Sequence, residues 1–200
     1  MGVIAGVIAK LMEQIGRPAK PRSPKAVRNC KLIGDAFQYD DPLEALWLTM
    51  VGLVFADGSS IDLNRLSKEA RNLYLLELLV REVMNGGFDQ YLQNSSGCCF
   101  EETKAALVDL GAATMLAFLE KAGNLFPLGV VPKDQALRRQ SLQDIPETWL
   151  AELDEEFNQL VGCPFDAPSN QFEDPRQLAI AFMKAHAECL VSSRPLYTPL

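Results

Sequence analysis

The segment that most constrains this chain is residues 85–97, which directly follow a long apolar stretch at residues 73–84. It reads Asn-Gly-Gly-Phe-Asp-Gln-Tyr-Leu-Gln-Asn-Ser-Ser-Gly. Asparagine and glycine tolerate the left-handed conformation in which helices end. Phe88 and Tyr91 are three residues apart and would pack inward on one helical turn. The segment therefore predicts that a helix ends near residue 85 and that the chain turns a corner there.

The polar side chains of this corner allow two interpretations. Gln90, Asn94, Ser95 and Ser96 could hydrogen-bond to the backbone exposed at the two helix ends, which makes the corner structural. Alternatively, Glu82 and its polar neighbours could form the walls of a pocket or a loop that contacts a partner. The candidate contact residues of this motif are Glu82, Asn85, Gly86, Gly87, Phe88, Gln90, Tyr91, Asn94, Ser95 and Gly97.

The rest of the chain predicts an all-α fold, a compact domain of about six to eight helices. Asp41 and Pro42 are typical of a helix start, and Asp174 with Pro175 repeats the pattern. No alternating strand pattern longer than four residues occurs. Helices are expected near residues 2–15, 43–56, 67–84, 101–110, 112–123, 146–161 and 177–190, with a looser segment at 126–145.

Charge divides the chain into two parts. Residues 1–34 hold seven basic residues and one acidic residue, whereas residues 35–200 hold twelve basic and twenty-five acidic residues. Pro18, Pro21 and Pro24 recur every three residues, which is one turn of polyproline II. We therefore predict a basic, proline-rich N-terminal arm at 1–34 and an acidic helical domain at 35–200. The arm is either a stiff linker or a segment that contacts a partner or a membrane surface.

Composition argues against several classes of function. The net charge of -7 disfavours direct binding of nucleic acid, which requires clustered basic residues. The one histidine, His186, excludes a two-histidine metal site and would serve as a neutral core residue. Five cysteines without a C-x-x-C pattern indicate reduced thiols in a cytoplasmic protein. We expect no catalytic residues, cofactor, metal or transmembrane segment.

The acidic domain offers a second candidate surface. Residues 146–161 are amphipathic, with Leu150, Leu153 and Phe157 on the apolar stripe. The carboxylates on the remainder of this helix form a possible acidic contact face: Glu147, Glu152, Asp154, Glu155 and Glu156.

Residues 73–97, and then 105–112, resemble the bacterial DNA-mimic-protein-like family, whose function is largely unknown. The resemblance covers roughly residues 40–162. It implies an all-helical fold. For the family's named member, it also implies an acidic surface that imitates duplex DNA and occupies the DNA-binding face of a transcription factor.

We therefore expect a non-enzymatic, cytoplasmic bacterial protein that acts through contact with another protein. Its partner would be a basic protein, DNA-binding or toxin-like, held on the acidic domain. The alternative is a small-molecule-binding or hydrolytic domain with its pocket at the turn of residues 85–97. A third possibility is membrane-surface contact through the N-terminal arm.

Overall fold

A computed structural model describes residues 36, 40–55, 61–160 and 173–190 of the chain, all within one compact unit, Lys31–Arg194. These ranges contain seven α-helices and no strand, so the predicted all-α fold is confirmed. The predicted N-terminal helix and proline-rich arm lie outside the described residues. The helices are α1 Pro42–Val54, α2 Lys68–Gln93, α3 Phe100–Leu110, α4 Ala113–Asn124, α5 Gln135–Leu142, α6 Glu147–Leu160 and α7 Pro175–Ala185.

The centre of the domain is α2, the longest of these helices at 26 residues. It begins at Ser67, whose hydroxyl accepts a hydrogen bond from the amide of Ala70 at 3.2 Å. Its leucines between residues 73 and 79 are all buried. Helices α1, α3, α5, α6 and α7 all pack against it. The apolar stretch that precedes residue 85 therefore forms the core around which the other helices assemble.

Helix α1 begins where the sequence predicts. The Asp41 carboxylate accepts a hydrogen bond from the amide of Glu44 at 3.1 Å, and Pro42 occupies the first helical turn. Trp47 of this helix stacks on Tyr74 of α2, with 5.3 Å between the ring centroids. Such stacking adds to the free energy gained from burying the two rings.

Helix α6 carries its apolar stripe inward, as expected. Leu150, Leu153 and Phe157 are buried, and Phe157 meets both Phe88 and Phe118 edge-on at centroid distances of 5.5 Å. Trp149, which precedes Leu150 on this helix, is 52% exposed. The amphipathic pattern thus places the acidic face of α6 toward solvent.

The structure corrects the sequence prediction in three places. The helix expected to end at residue 84 breaks at the glycine pair but resumes at once, so that α2 continues to Gln93. The segment expected to be loose, residues 126–145, contains α5, which Asp134 caps through a 2.9 Å bond from the amide of Leu137. The last helix ends at Ala185 because His186 leaves helical geometry, with φ -117° and ψ 23°.

Within the described ranges, no helix is both long enough and apolar enough to cross a lipid bilayer.

Candidate functional site

The motif at residues 85–97 forms a kink in α2. Gly86 has φ -161° and ψ 27°, and Gly87 has φ 74° and ψ -178°. The Gly87 conformation belongs to a region that is essentially restricted to glycine. The chain therefore needs glycine at position 87 to leave the first half of α2 and begin the second.

Asp154 of α6 caps the N-terminus of the helical segment that follows the kink. One of its carboxylate oxygens, Oδ1, accepts a hydrogen bond from the amide of Phe88 at 2.7 Å. A carboxylate at a helix N-terminus satisfies a free amide and interacts favourably with the helix dipole. Burial raises the pKa of Asp154, the Phe88 bond opposes that shift, and the nearby charge of Asp89 adds to it. The carboxylate thus joins α6 to the corner at an electrostatic cost.

Space at the kink is as restricted as the backbone. A Cβ atom added to Gly87 would lie 2.1 Å from the other Asp154 oxygen, Oδ2. Gly97, at the far end of the motif, is equally enclosed, since a Cβ atom there would lie 2.5 Å from Nε of Arg138. At Gly87 and Gly97, the close approach of a charged side chain therefore leaves no room for a Cβ atom.

The polar residues of the motif converge on Glu82, which is 6% exposed. Its carboxylate accepts hydrogen bonds from Gln90 at 2.7 Å, from Asn94 at 2.9 Å and from Ser96 at 3.3 Å. Asn85 extends this network to the surface by donating to Oε1 of Gln90 at 2.8 Å. Neutral donors thus compensate the buried negative charge and tie the two halves of α2 together.

The two aromatic residues of the motif are buried, as predicted. Phe88 meets Phe157 of α6, and the Tyr91 hydroxyl donates to the hydroxyl of Thr103 at 3.0 Å. Thr103 in turn donates to the carbonyl of Cys99 at 2.8 Å. These contacts fasten the second half of α2 to α3 and α6.

Arg138 of α5 completes the corner, although nothing in the sequence singled it out. It is fully buried and donates to the carbonyls of Leu92 and Asn94, at 2.5 and 2.7 Å. It also donates to the carbonyls of Pro132 and Lys133, at 2.7 and 3.0 Å. Burial lowers the pKa of Arg138, but a guanidinium stays charged in proteins. One cation therefore satisfies the backbone carbonyls where α2 ends.

The small-molecule interpretation placed Glu82, Gln90, Tyr91 and Asn94 on the walls of a pocket. Each of them instead contacts another part of the corner, as described above. A groove of about 680 Å³ lies beside the motif, but none of these four residues lines it. Its lining comes from α2, α5 and α6 and the connection between the last two: Asp89, Gln93, Arg139, Leu142, Gln143, Ile145, Glu147, Leu150, Ala151 and Asp154.

The acidic residues of α6 separate into two groups. Glu147, Glu152, Glu155 and Glu156 are exposed, whereas Asp154 is half-buried and caps Phe88. Glu156 forms an ion pair with Lys121 at 2.6 Å. The predicted contact face is therefore available to solvent at four of its five positions.

Among the residues that the structure describes, no group of three or more His, Cys, Asp or Glu side chains is arranged so that it could hold a metal ion. His186 is half-buried and lies against the ring of Phe182, with 4.1 Å between the ring centroids.

Comparison with known proteins identifies one family. A family model described as DMP19-like protein matches residues 64–186, a range that contains the whole motif. This match begins and ends further along the chain than the range of about 40–162 expected from the sequence resemblance. No curated protein and no solved structure matches the chain.

Replacing Gly87 tests the kink. We expect Gly87→Ala to lower the free energy of unfolding by about 3 kcal/mol, because alanine disfavours this conformation and its methyl group would meet Asp154. Gly111→Ala is the matched control: Gly111 has φ 71°, yet no atom lies within 4 Å of an added Cβ. It should lose about 1 kcal/mol from backbone strain alone. Equal losses in urea unfolding would contradict the role given to Asp154.

Replacing Glu82 tests the network. Glu82→Gln removes the charge from the acceptor of two hydrogen bonds, those donated by Gln90 and Asn94, and hydrogen bonds to a charged group are stronger than those between neutral groups. We expect a loss of about 2 kcal/mol in the free energy of unfolding. Glu120→Gln, at an exposed position of α4, should change it by less than about 0.5 kcal/mol. If both variants unfold at the same urea concentration, the network does not stabilise the corner.

Proposed function

We propose that this chain, which belongs to the DMP19-like protein family, acts by binding another protein on the acidic face of α6. The partner is a basic protein, DNA-binding or toxin-like. The observation that carries the proposal is the composition and exposure of α6. Its 14 residues contain five carboxylates and no basic residue, and four of those carboxylates are exposed.

The spacing of these carboxylates suits a multivalent contact. Glu152 lies three residues before Glu155 and four before Glu156, and residues at these helical intervals have neighbouring side chains about 5–6 Å apart. Like charges at this spacing destabilise an isolated helix slightly. A partner with several Lys or Arg side chains would relieve that repulsion and gain favourable electrostatic interactions in return.

The groove beside α6 extends the acidic surface. Asp89 and Glu147 line it together with Asp154, and Arg139 is the basic residue of its lining. Arg139 donates to the carbonyl of Gln93 at 2.9 Å, so its charge is directed toward the end of α2. A convex acidic helix next to a concave acidic groove offers a basic partner more than one contact.

Family membership supports the same kind of activity. The resemblance implies a protein that presents carboxylates in place of DNA phosphates, and we extend this to α6 as a proposal. A mimic competes for a partner's DNA-binding face, whereas a general acidic surface only attracts positive charge. The two differ in whether duplex DNA displaces the chain from its partner.

The proposal is tested by capture from native lysate on immobilised full-length protein. We expect a basic protein to bind at about 0.1 M salt and to be released at about 1 M, where the Debye length falls from about 10 to about 3 Å. Duplex DNA added at low salt should also release it if the chain mimics DNA. A partner that salt does not release would contradict the electrostatic contact.

Matched variants locate the contact. Glu152→Gln with Glu155→Gln removes two exposed charges from α6, and Glu101→Gln with Glu120→Gln removes two exposed charges from α3 and α4. The first variant should reduce capture by about tenfold and the second should leave it nearly unchanged, since rim charges act mainly over short range. Equal reduction by both variants would mean that only net charge matters and would exclude α6 as the site.

A further inference from the structure

Two neighbouring thiols lie where the motif ends. Cys98 and Cys99 belong to the short 3-10 helix Ser95–Cys99, and their sulfur atoms are 3.5 Å apart. Cys98 is half-buried and reachable from solvent, whereas Cys99 is only 4% exposed and occupies the N-cap position of α3. The pair therefore combines one accessible sulfur with one buried sulfur at hydrogen-bonding distance.

The surroundings favour a thiolate on Cys98. Donation from the Cys99 thiol is the largest effect, and it lowers the pKa of Cys98 to about 7 against the cost of burial. Among the charged groups, Arg138 and Lys133 favour the thiolate, and Glu102 opposes it. The same bond, together with burial, raises the pKa of Cys99, so Cys98 is the sulfur that ionises.

We propose that Cys98 is a site of covalent modification by hydroperoxides. The thiolate attacks one peroxide oxygen, so that a sulfur–oxygen bond forms while the oxygen–oxygen bond breaks. The sulfur is oxidised by two electrons to a sulfenic acid, and the other oxygen leaves as hydroxide, or alkoxide from an organic peroxide, and takes a proton from water.

Cys99 acts as a positioning residue in this reaction. Consecutive Cα atoms are ~3.8 Å apart across a trans peptide bond, closer than the ~4.4–6.8 Å that disulfides usually span. A bond between the two sulfur atoms would therefore strain the backbone. Cys99 instead stays protonated and donates a hydrogen bond to Cys98. The sulfenic acid is therefore the product.

The test treats the full-length protein with hydrogen peroxide and dimedone, which traps sulfenic acids, and maps the adducts by mass spectrometry. Cys189, an exposed free cysteine, is the internal reference. We expect the Cys98 adduct to form about fivefold faster than the Cys189 adduct at pH 7, because more thiolate outweighs its lower nucleophilicity. Equal rates at the two residues would overturn the proposal.

The pH profile and three variants separate the contributions of the two thiols. Labelling of Cys98 should rise with a midpoint near pH 7 in the wild type and in Cys99→Ser, which keeps a donor, and at higher pH in Cys99→Ala. Cys98→Ser should remove the adduct from this peptide. An unchanged midpoint in Cys99→Ala, or an adduct that persists on Cys99 in Cys98→Ser, would overturn it. The wild-type profile serves as the test if a variant fails to fold.

Discussion

The described domain depends on the way in which two buried charges hold one corner of the chain. Glu82, in the first half of α2, accepts hydrogen bonds from Gln90 in the second half and from Asn94 just beyond it. Arg138 binds the carbonyls at the end of that helix. Every other described helix except α4 packs against α2. The position of α6, and with it the acidic face, therefore follows from the geometry of the kink. Loss of either charge would leave buried polar groups unpaired at the centre of the fold.

This arrangement explains why Gln90, Asn94 and Ser96 face Glu82 and do not line the groove. A buried carboxylate needs donors, and Gln90, Asn94 and Ser96 supply them. The glycines are needed for two further reasons. Position 87 has a backbone conformation restricted to glycine, and position 97 lies against Arg138. The motif builds the corner. The proposed contact with a partner lies on α6, the helix that the corner positions.

Local signals in the sequence predict much of this structure, but not the bonds that close it. Asp41 with Pro42 sets the start of α1, and the glycine pair marks the break in α2. Arg138 contacts carbonyls 44 and 46 positions away in sequence, and Asp154 caps an amide 66 positions away. The helical periodicity of a sequence does not indicate contacts between residues so far apart along the chain. Helix α5 was missed for a related reason: its eight residues are mostly polar, and its cap, Asp134, was the one signal available.

Amide hydrogen exchange provides the most direct test of the claim that Arg138 closes the corner. Arg138→Met removes the four carbonyl contacts, whereas Gln140→Met alters an exposed residue of the same helix. The account predicts that amides of residues 88–99 lose about 100-fold in protection in the first variant, equivalent to about 3 kcal/mol, and little in the second. Equal protection of residues 88–99 in the wild type and Arg138→Met would contradict it.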